Sequence, residues 1–265
     1  MPHPPRRLLA RSVLAGSLVA CLASAVPVEP AEALDLPRAG AFPHEAFTEV
    51  LSKYVDTTGR VDYKGLLASR AALDGYVAYV GLVSPARNPD LFPTVSDSEA
   101  YYINGYNALA ITGVIDRPGI KSVNDPGLGF FVTTRYTVGG ERINLHDLEN
   151  RVIRPAFHDP RLHFALNCQS VGCPRLPQAA YDPQKLEAEL EAGAREFCTN
   201  PTKVYVDSAG AWHISQLFEW YKEDFSSSGG VVAFIDAHGG TLPANAKVEF
   251  IPYDWTLSAQ PGRSP

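Results

Sequence analysis

The sequence predicts an α+β fold, with a helical N-terminal part packed on a small central β-sheet. Three observations predict it. Apolar residues recur at helical spacing through 43–54, 64–82 and 96–115. Short β-branched and aromatic runs, broken by Gly-Gly and Ser-Ala-Gly turns, occupy 130–143 and 203–214. Between them, residues 161–168, RLHFALNC, read as a buried central strand. At 265 residues and 45% hydrophobic content the chain can bury a substantial core. Residues 34–265 are read as one domain, with its motifs between about 96 and 257.

Residues 1–33 read as a signal peptide. Arg6, Arg7 and Arg11 precede an apolar run over 12–26, and Ala23-Ser24-Ala25 and Ala31-Glu32-Ala33 offer small residues for cleavage. A competing reading takes Leu18-Val19-Ala20-Cys21 as a lipoprotein box, which would put a lipid anchor on Cys21. Arg6-Arg7 followed by Leu8-Leu9 also resembles a twin-arginine export signal. No later segment reaches the roughly 18 apolar residues of a membrane span. The mature protein is therefore expected to be soluble and periplasmic or secreted. A net charge of −6, with no Lys/Arg cluster beyond the first dozen residues, argues against nucleic acid as a partner.

The elements follow in order. Residues 43–54 predict a short amphipathic helix through Phe47, Val50, Leu51 and Tyr54, and 64–82 a longer one that ends before Ser84-Pro85. Residues 96–115, SDSEAYYINGYNALAITGVI, predict a helix capped at Ser96 or Asp97 and apolar on nearly every side. Asn104 and Asn107 sit inside its stripes, so their amides must find partners: a neighbouring backbone, or a ligand in a cleft. Strands are expected at 130–132 and 136–138, with a Gly139-Gly140 turn into Arg142-Ile143. Asn144 then caps a helix whose buried stripe is Leu145, Leu148, Val152 and Ala156, bordered by the Glu149 carboxylate. Arg161 or His163 could pair with Glu149, or the carboxylate could be a half-exposed surface group.

Residues 161–174, RLHFALNCQSVGCP, place one His and two Cys within eleven positions. Strand alternation puts His163, Ala165 and Asn167 on one face and Phe164, Leu166 and Cys168 on the other, so a bend is needed to bring His163 to Cys168. Gly172 and Pro174 supply a turn that could carry Cys168 or Cys173 to the His163 side. Asp182-Pro183 predicts the start of a helix ending at Cys198, a thiol read as a small core hydrophobe. A hairpin over 203–214, an aromatic helix over 215–225 and a helix over 231–237 follow. The last strand, KVEFIPYDWTL, carries Asp254, which could order a turn or polarise a His. With residues 1–33 removed, Cys168, Cys173 and Cys198 remain, and an odd count leaves at least one thiol unpaired within a monomer.

The blocks YINGYNALAI, VGGERINLHDLEN, RLHFALNCQSVGCPRL, HISQLFEWYKEDF and IPYDWTL, in this order, resemble those of the family known as domain of unknown function 547. The resemblance extends over nearly the whole mature chain. It implies a distant likeness to papain-type and transglutaminase-type cysteine enzymes, with Cys168 as nucleophile, His163 as its base and Glu149 as the carboxylate. Ser-Pro replaces Cys173-Pro174 in some members, which makes Cys173 the second choice of nucleophile. Tyr102 stands where the family motif has Trp.

Three functions compete. A cysteine hydrolase or acyl transferase acting on a small-molecule or peptide substrate would use Cys168, His163, Glu149 and, as oxyanion donor, Asn107. A redox pair or soft-metal site would use Cys168, Cys173 and His163, though the spacing is neither CxxC nor a common zinc pattern. A non-enzymatic envelope module would simply pack these residues. None of these readings calls for a cofactor.

Overall fold

The computed structural model describes residues 42–125, 127, 129–243 and 246–265. The signal-peptide reading of 1–33 and the anchor reading of Cys21 lie outside them. The architecture is mixed α/β, with nine helices and two small sheets among the described residues. No helix among them is long and apolar enough to cross a membrane.

Helices α1 (Glu45–Tyr54), α2 (Tyr63–Ala68) and α3 (Ala71–Leu82) lead to the 21-residue α4 (Val95–Ile115). The single helix expected over 64–82 is broken at Ser69-Arg70. Asp62 caps α2 by accepting from Gly65 N, and Arg70 enters α3 paired to Asp74 and to Asp116 at the end of α4. Helix α4 starts at a capping box two residues before the expected Ser96 cap: Thr94 accepts from Asp97 N while the Asp97 carboxylate accepts from Thr94 N. It is buried on almost every side, as its unbroken apolar composition requires. Tyr101 donates its hydroxyl to the carbonyls of Val80 and Val83, fastening α3 to it.

Residues 130–132 do not form the expected strand. The amides of Thr133 and Thr134 turn back onto Gly129 O, and Phe130 is buried with its ring against Gly113 of α4. Strands β1 (Tyr136–Val138) and β2 (Glu141–Ile143) pair antiparallel around Gly139 and Gly140, both at positive φ, as a two-residue hairpin turn demands. Asn144 then accepts from Asp147 N and caps α5 (Leu145–Asp147). This runs through a π-helical turn, Leu148–Ile153, into α6 (Arg154–Phe157).

The expected central strand over 161–168 is instead a 3-10 helix, Pro160–Phe164, followed by an irregular buried segment. Asp159 and Pro160 decide this: the Asp159 carboxylate accepts from Arg161 N, and proline sets the first helical φ. Helix α7 (Leu186–Thr199) starts four residues after the expected Asp182 cap, whose carboxylate is taken by Gln184 N and Lys185. The predicted hairpin forms as β3 (Val204–Val206) and β4 (Trp212–Ser215), and β5 (Val248–Ile251) joins β4 in parallel. This sheet belongs to the C-terminal part and does not contain the His/Cys stretch. Between β4 and β5 lie α8 (Leu217–Trp220), a 3-10 turn (Lys222–Ser228) and α9 (Val231–Ala237).

Two cores result. The larger surrounds α4 and takes in Leu162, Ala165 and Leu166. The smaller is aromatic, built from Phe197, Phe218, Phe225 and Phe234 around Phe164. The stretch 162–166 therefore feeds side chains to both cores, which fixes its backbone where the site is assembled.

Candidate functional site

Both asparagines of α4 grip backbone. The Asn104 amide donates to Tyr181 O and accepts from Tyr181 N, each at 2.9 Å. Asn107 does the same across the His/Cys stretch, donating to Ala165 O (3.0 Å) and accepting from Asn167 N (2.8 Å). Asn107 was expected as an oxyanion donor, and these contacts turn it towards the backbone of the stretch. It lies outside the cavity described below, and its oxygen and one amide hydrogen are committed to the chain that carries Cys168.

From Asn167 the chain makes a buried turn. Asn167 donates to Pro174 O and accepts from Gln169 N, and Gln169 adopts φ 71° while its side chain accepts from the Tyr63 hydroxyl. The terminal segment closes the other side: Val171 N donates to Thr256 O and Gly172 N to Asp254 O. Lys203 donates to the carbonyls of Val171 and Gly172, and burial lowers its ammonium to about 8 against the opposing charge of Asp254. Within this turn Cys168 and Cys173 are paired as a disulfide, their Cα atoms 6.4 Å apart. The Tyr253 hydroxyl lies 3.4 Å from Cys168 Sγ and donates to Cys173 Sγ at 3.2 Å. Cys198 is free and buried in the aromatic core; burial, with Glu191 adding to it, pushes its thiol up to about 12.

His163 is 3% exposed. Its Nε2 lies 2.7 Å from Asp224 Oδ2, and Asp224 also accepts two hydrogen bonds from the Arg154 guanidinium at 2.7 and 2.8 Å. Burial works to raise the Asp224 carboxyl, but His163 and Arg154 outweigh it and hold it well below the usual carboxylate range. An ionised carboxylate only accepts, so Nε2 of His163 carries the proton and, in the neutral ring, Nδ1 carries the lone pair. The ring stacks on Tyr221 at 3.9 Å between centroids. No hydrogen bond joins His163 to either sulfur.

Glu149 does not touch His163, contrary to expectation. It accepts from the Tyr221 hydroxyl at 2.6 Å and the Tyr106 hydroxyl at 3.3 Å, and so reaches the histidine only through the Tyr221 ring. Burial first, then the neighbouring Glu149 charge, pushes both phenols up and keeps them protonated donors. Asp254, the other carboxylate considered for the histidine, instead orders a turn by accepting from Thr256 N.

These groups meet in one cavity of about 300 Å³. His163, Cys168, Cys173 and Glu149 line it, together with a wall of Tyr106, Phe131, Trp220, Tyr221, Tyr253 and Trp255. The alternation problem disappears because 3-10 geometry followed by the irregular segment lets His163 and Cys168 face the same space. Among the described residues no three His, Cys, Asp or Glu side chains cluster as a metal-ligand set. Sequence reasoning missed Asp224 and Arg154. Asp224 lies in WYKEDF, 61 residues beyond His163, and the signals for it were the block HISQLFEWYKEDF and an acidic residue beside an aromatic run.

Fold and cavity together define a mixed α/β protein with a cysteine pair and an aspartate-anchored histidine lining one aromatic cavity. Residues 94–198 match the model of the family described as Protein of unknown function, DUF547. The matched residues include Asn107, Glu149, His163, Cys168 and Cys173, whereas Asp224, Tyr253 and Trp255 lie beyond them. No curated protein and no solved structure matches the chain.

Proposed function

We propose that the cavity is the active site of a cysteine-dependent hydrolase or acyl transferase, with Cys168 as nucleophile once the Cys168–Cys173 pair is reduced. The observation that carries this reading is that Cys168 and His163 line one cavity while Asp224 holds Nε2 of the histidine. His163 Nδ1 takes the thiol proton, and the Cys168 thiolate attacks an ester or amide carbonyl. The C–S bond forms, and the leaving alcohol or amine departs with the proton from His163. Water or an acceptor amine, deprotonated by His163, then cleaves the thioester and regenerates the thiol. The Asp224 carboxylate stabilises the imidazolium in between, a role first expected of Glu149. The Tyr253 hydroxyl, beside the attacking sulfur, is the oxyanion donor in place of Asn107. The protein is proposed to work outside the cytoplasm, where reduction of the pair would govern its activity.

The test is acyl-enzyme trapping. Reduced protein is mixed with activated esters and followed by intact mass, with peptide mapping of the adduct. The expected result is one acyl group on Cys168, absent in Cys168→Ser and formed at least about tenfold more slowly in His163→Ala. An adduct on Cys173 or Cys198 alone, or equal rates in His163→Ala, would overturn the reading.

The sulfur pairing favours a second reading, a thiol–disulfide exchange site. It predicts that reduced protein transfers electrons to small disulfides at a rate that depends on both Cys168 and Cys173, with no acyl adduct.

A further inference from the structure

The cavity lining has a charge of its own. Glu149 is the sole carboxylate lining the cavity among the described residues, and no Lys or Arg lines it. Asp224 does not reach the cavity lining, and its charge is met by Arg154 and His163. Glu149 has no ion pair among the described residues. Its partners are the neutral phenols Tyr106 and Tyr221, which orient the carboxylate without cancelling it. A half-buried carboxylate left in this state attracts a cation, and its unused lone pairs can accept from one.

The aromatic side chains point to the same ligand. Trp220, Tyr253 and Trp255 form a contiguous cluster, with centroid separations of 4.9, 5.5 and 4.6 Å, and Phe131 extends it at 6.0 Å from Trp255. Trp220 remains 43% exposed at this cluster. The Arg154 guanidinium, 4.8 Å from the Tyr221 ring centroid, acts on Glu149 only through space and makes no ion pair with it. Ring faces bearing partial negative charge beside a carboxylate without a direct ion pair are the two elements that recognise ammonium and guanidinium groups.

We propose that Glu149 and this aromatic cluster form a subsite for a cationic group on the substrate, so that the acyl compound processed at Cys168 carries a primary amine or a guanidinium. The inference rests on the acyl-transfer reading for its placement in a reaction, but binding is measurable without turnover. Glu149 is thus a substrate-binding residue, and the carboxylate that serves the histidine is Asp224.

The test uses the full chain carrying Cys168→Ser, titrated with N-acetyl-lysine methyl ester, N-acetyl-norleucine methyl ester and N-acetyl-glutamate α-methyl ester, and read by tryptophan fluorescence and calorimetry. The lysine ester is expected to bind at least about tenfold more tightly than the norleucine ester, an advantage that shrinks in 0.5 M salt and is lost in Glu149→Gln. Trp220→Leu, a change at a partly exposed site, keeps the apolar surface and removes the ring face. It is expected to weaken the lysine ester by several-fold and the norleucine ester little, and it decides the matter if Glu149→Gln does not fold. Equal binding of the lysine and norleucine esters, preference for the anionic ester, or an undiminished cation preference in both variants would overturn the subsite. If that preference is missing while Cys168 is still acylated in a His163-dependent way, the subsite alone falls. If the preference stands and no acylation occurs, the acyl-transfer reading falls instead.

Discussion

At the scale of single residues, the site turns on which carboxylate serves His163. Asp224→Asn removes the acceptor charge while keeping the side-chain shape, so the imidazolium loses its stabilising partner and the ring loses its reason to hold the proton on Nε2. Acylation of reduced Cys168 is expected to slow at least about tenfold, whereas Glu149→Gln should leave the reaction with a small uncharged activated ester within about threefold. Equal losses in the two variants would contradict the division of roles. Gly172 is a second sensitive position: a Cβ there would stand 2.6 Å from the Tyr253 ring. Gly172→Ala is therefore expected to cost about 1–3 kcal/mol, measured by urea unfolding, and to shift the Tyr253 hydroxyl from the sulfurs. Cys168 and His163 were legible in the sequence because they stand five positions apart in one motif. Asp224 was not, since nothing in a linear pattern states that a carboxylate 61 residues away folds back onto that ring.

At the scale of elements, the stretch carrying the site is placed by α4 rather than by a sheet. Asn107 holds the carbonyl of Ala165 and the amide of Asn167, a backbone connection made through a side chain where a strand partner would otherwise be. Asn107→Ala leaves those two buried groups unpaired, and a loss of about 1–3 kcal/mol or more is expected from chemical denaturation, together with slower modification of Cys168. Unchanged stability would show that the clamp is dispensable. The helices α1, α4, α7 and α9 and the β3–β4 hairpin were readable because periodicity and turn residues agree there. The strand expected over 161–168 was not borne out, because a short apolar run satisfies a buried strand and a buried 3-10 segment equally well. Asp159-Pro160 was the local clue that separated them. The same ambiguity misled at 130–132, where burial of Phe130 against Gly113 outweighs β propensity.

At the scale of the whole molecule, the N-terminal helices and the His/Cys stretch share one core, and the buried His44 reports on it. His44 Nδ1 lies 3.0 Å from both the Tyr76 hydroxyl and the Asn104 amide nitrogen. Burial lowers its pKa from 6.5 to about 4, against the opposing charges of Asp182 and Asp97. The unfolded chain then binds more protons than the folded one between those two values, so stability is lost as pH falls from about 6.5 towards 4. The His44 share approaches about 3 kcal/mol at the acid end. Urea midpoints of the wild type and His44→Gln should diverge in slope over that window, and parallel curves would contradict the assignment. The α+β class was readable from the sequence, but the division into a core around α4 and an aromatic core around Phe164 was not, since it depends on which face of 162–166 each core receives. In the proposed site, His163, anchored by Asp224, activates Cys168. The most direct test is the pH profile of Cys168 alkylation in the reduced protein, followed by mass spectrometry. The expected profile inflects below the ordinary thiol value of about 8.5 in the wild type and moves up towards it in both His163→Ala and Asp224→Asn. Superimposable profiles in the three proteins would contradict the claim.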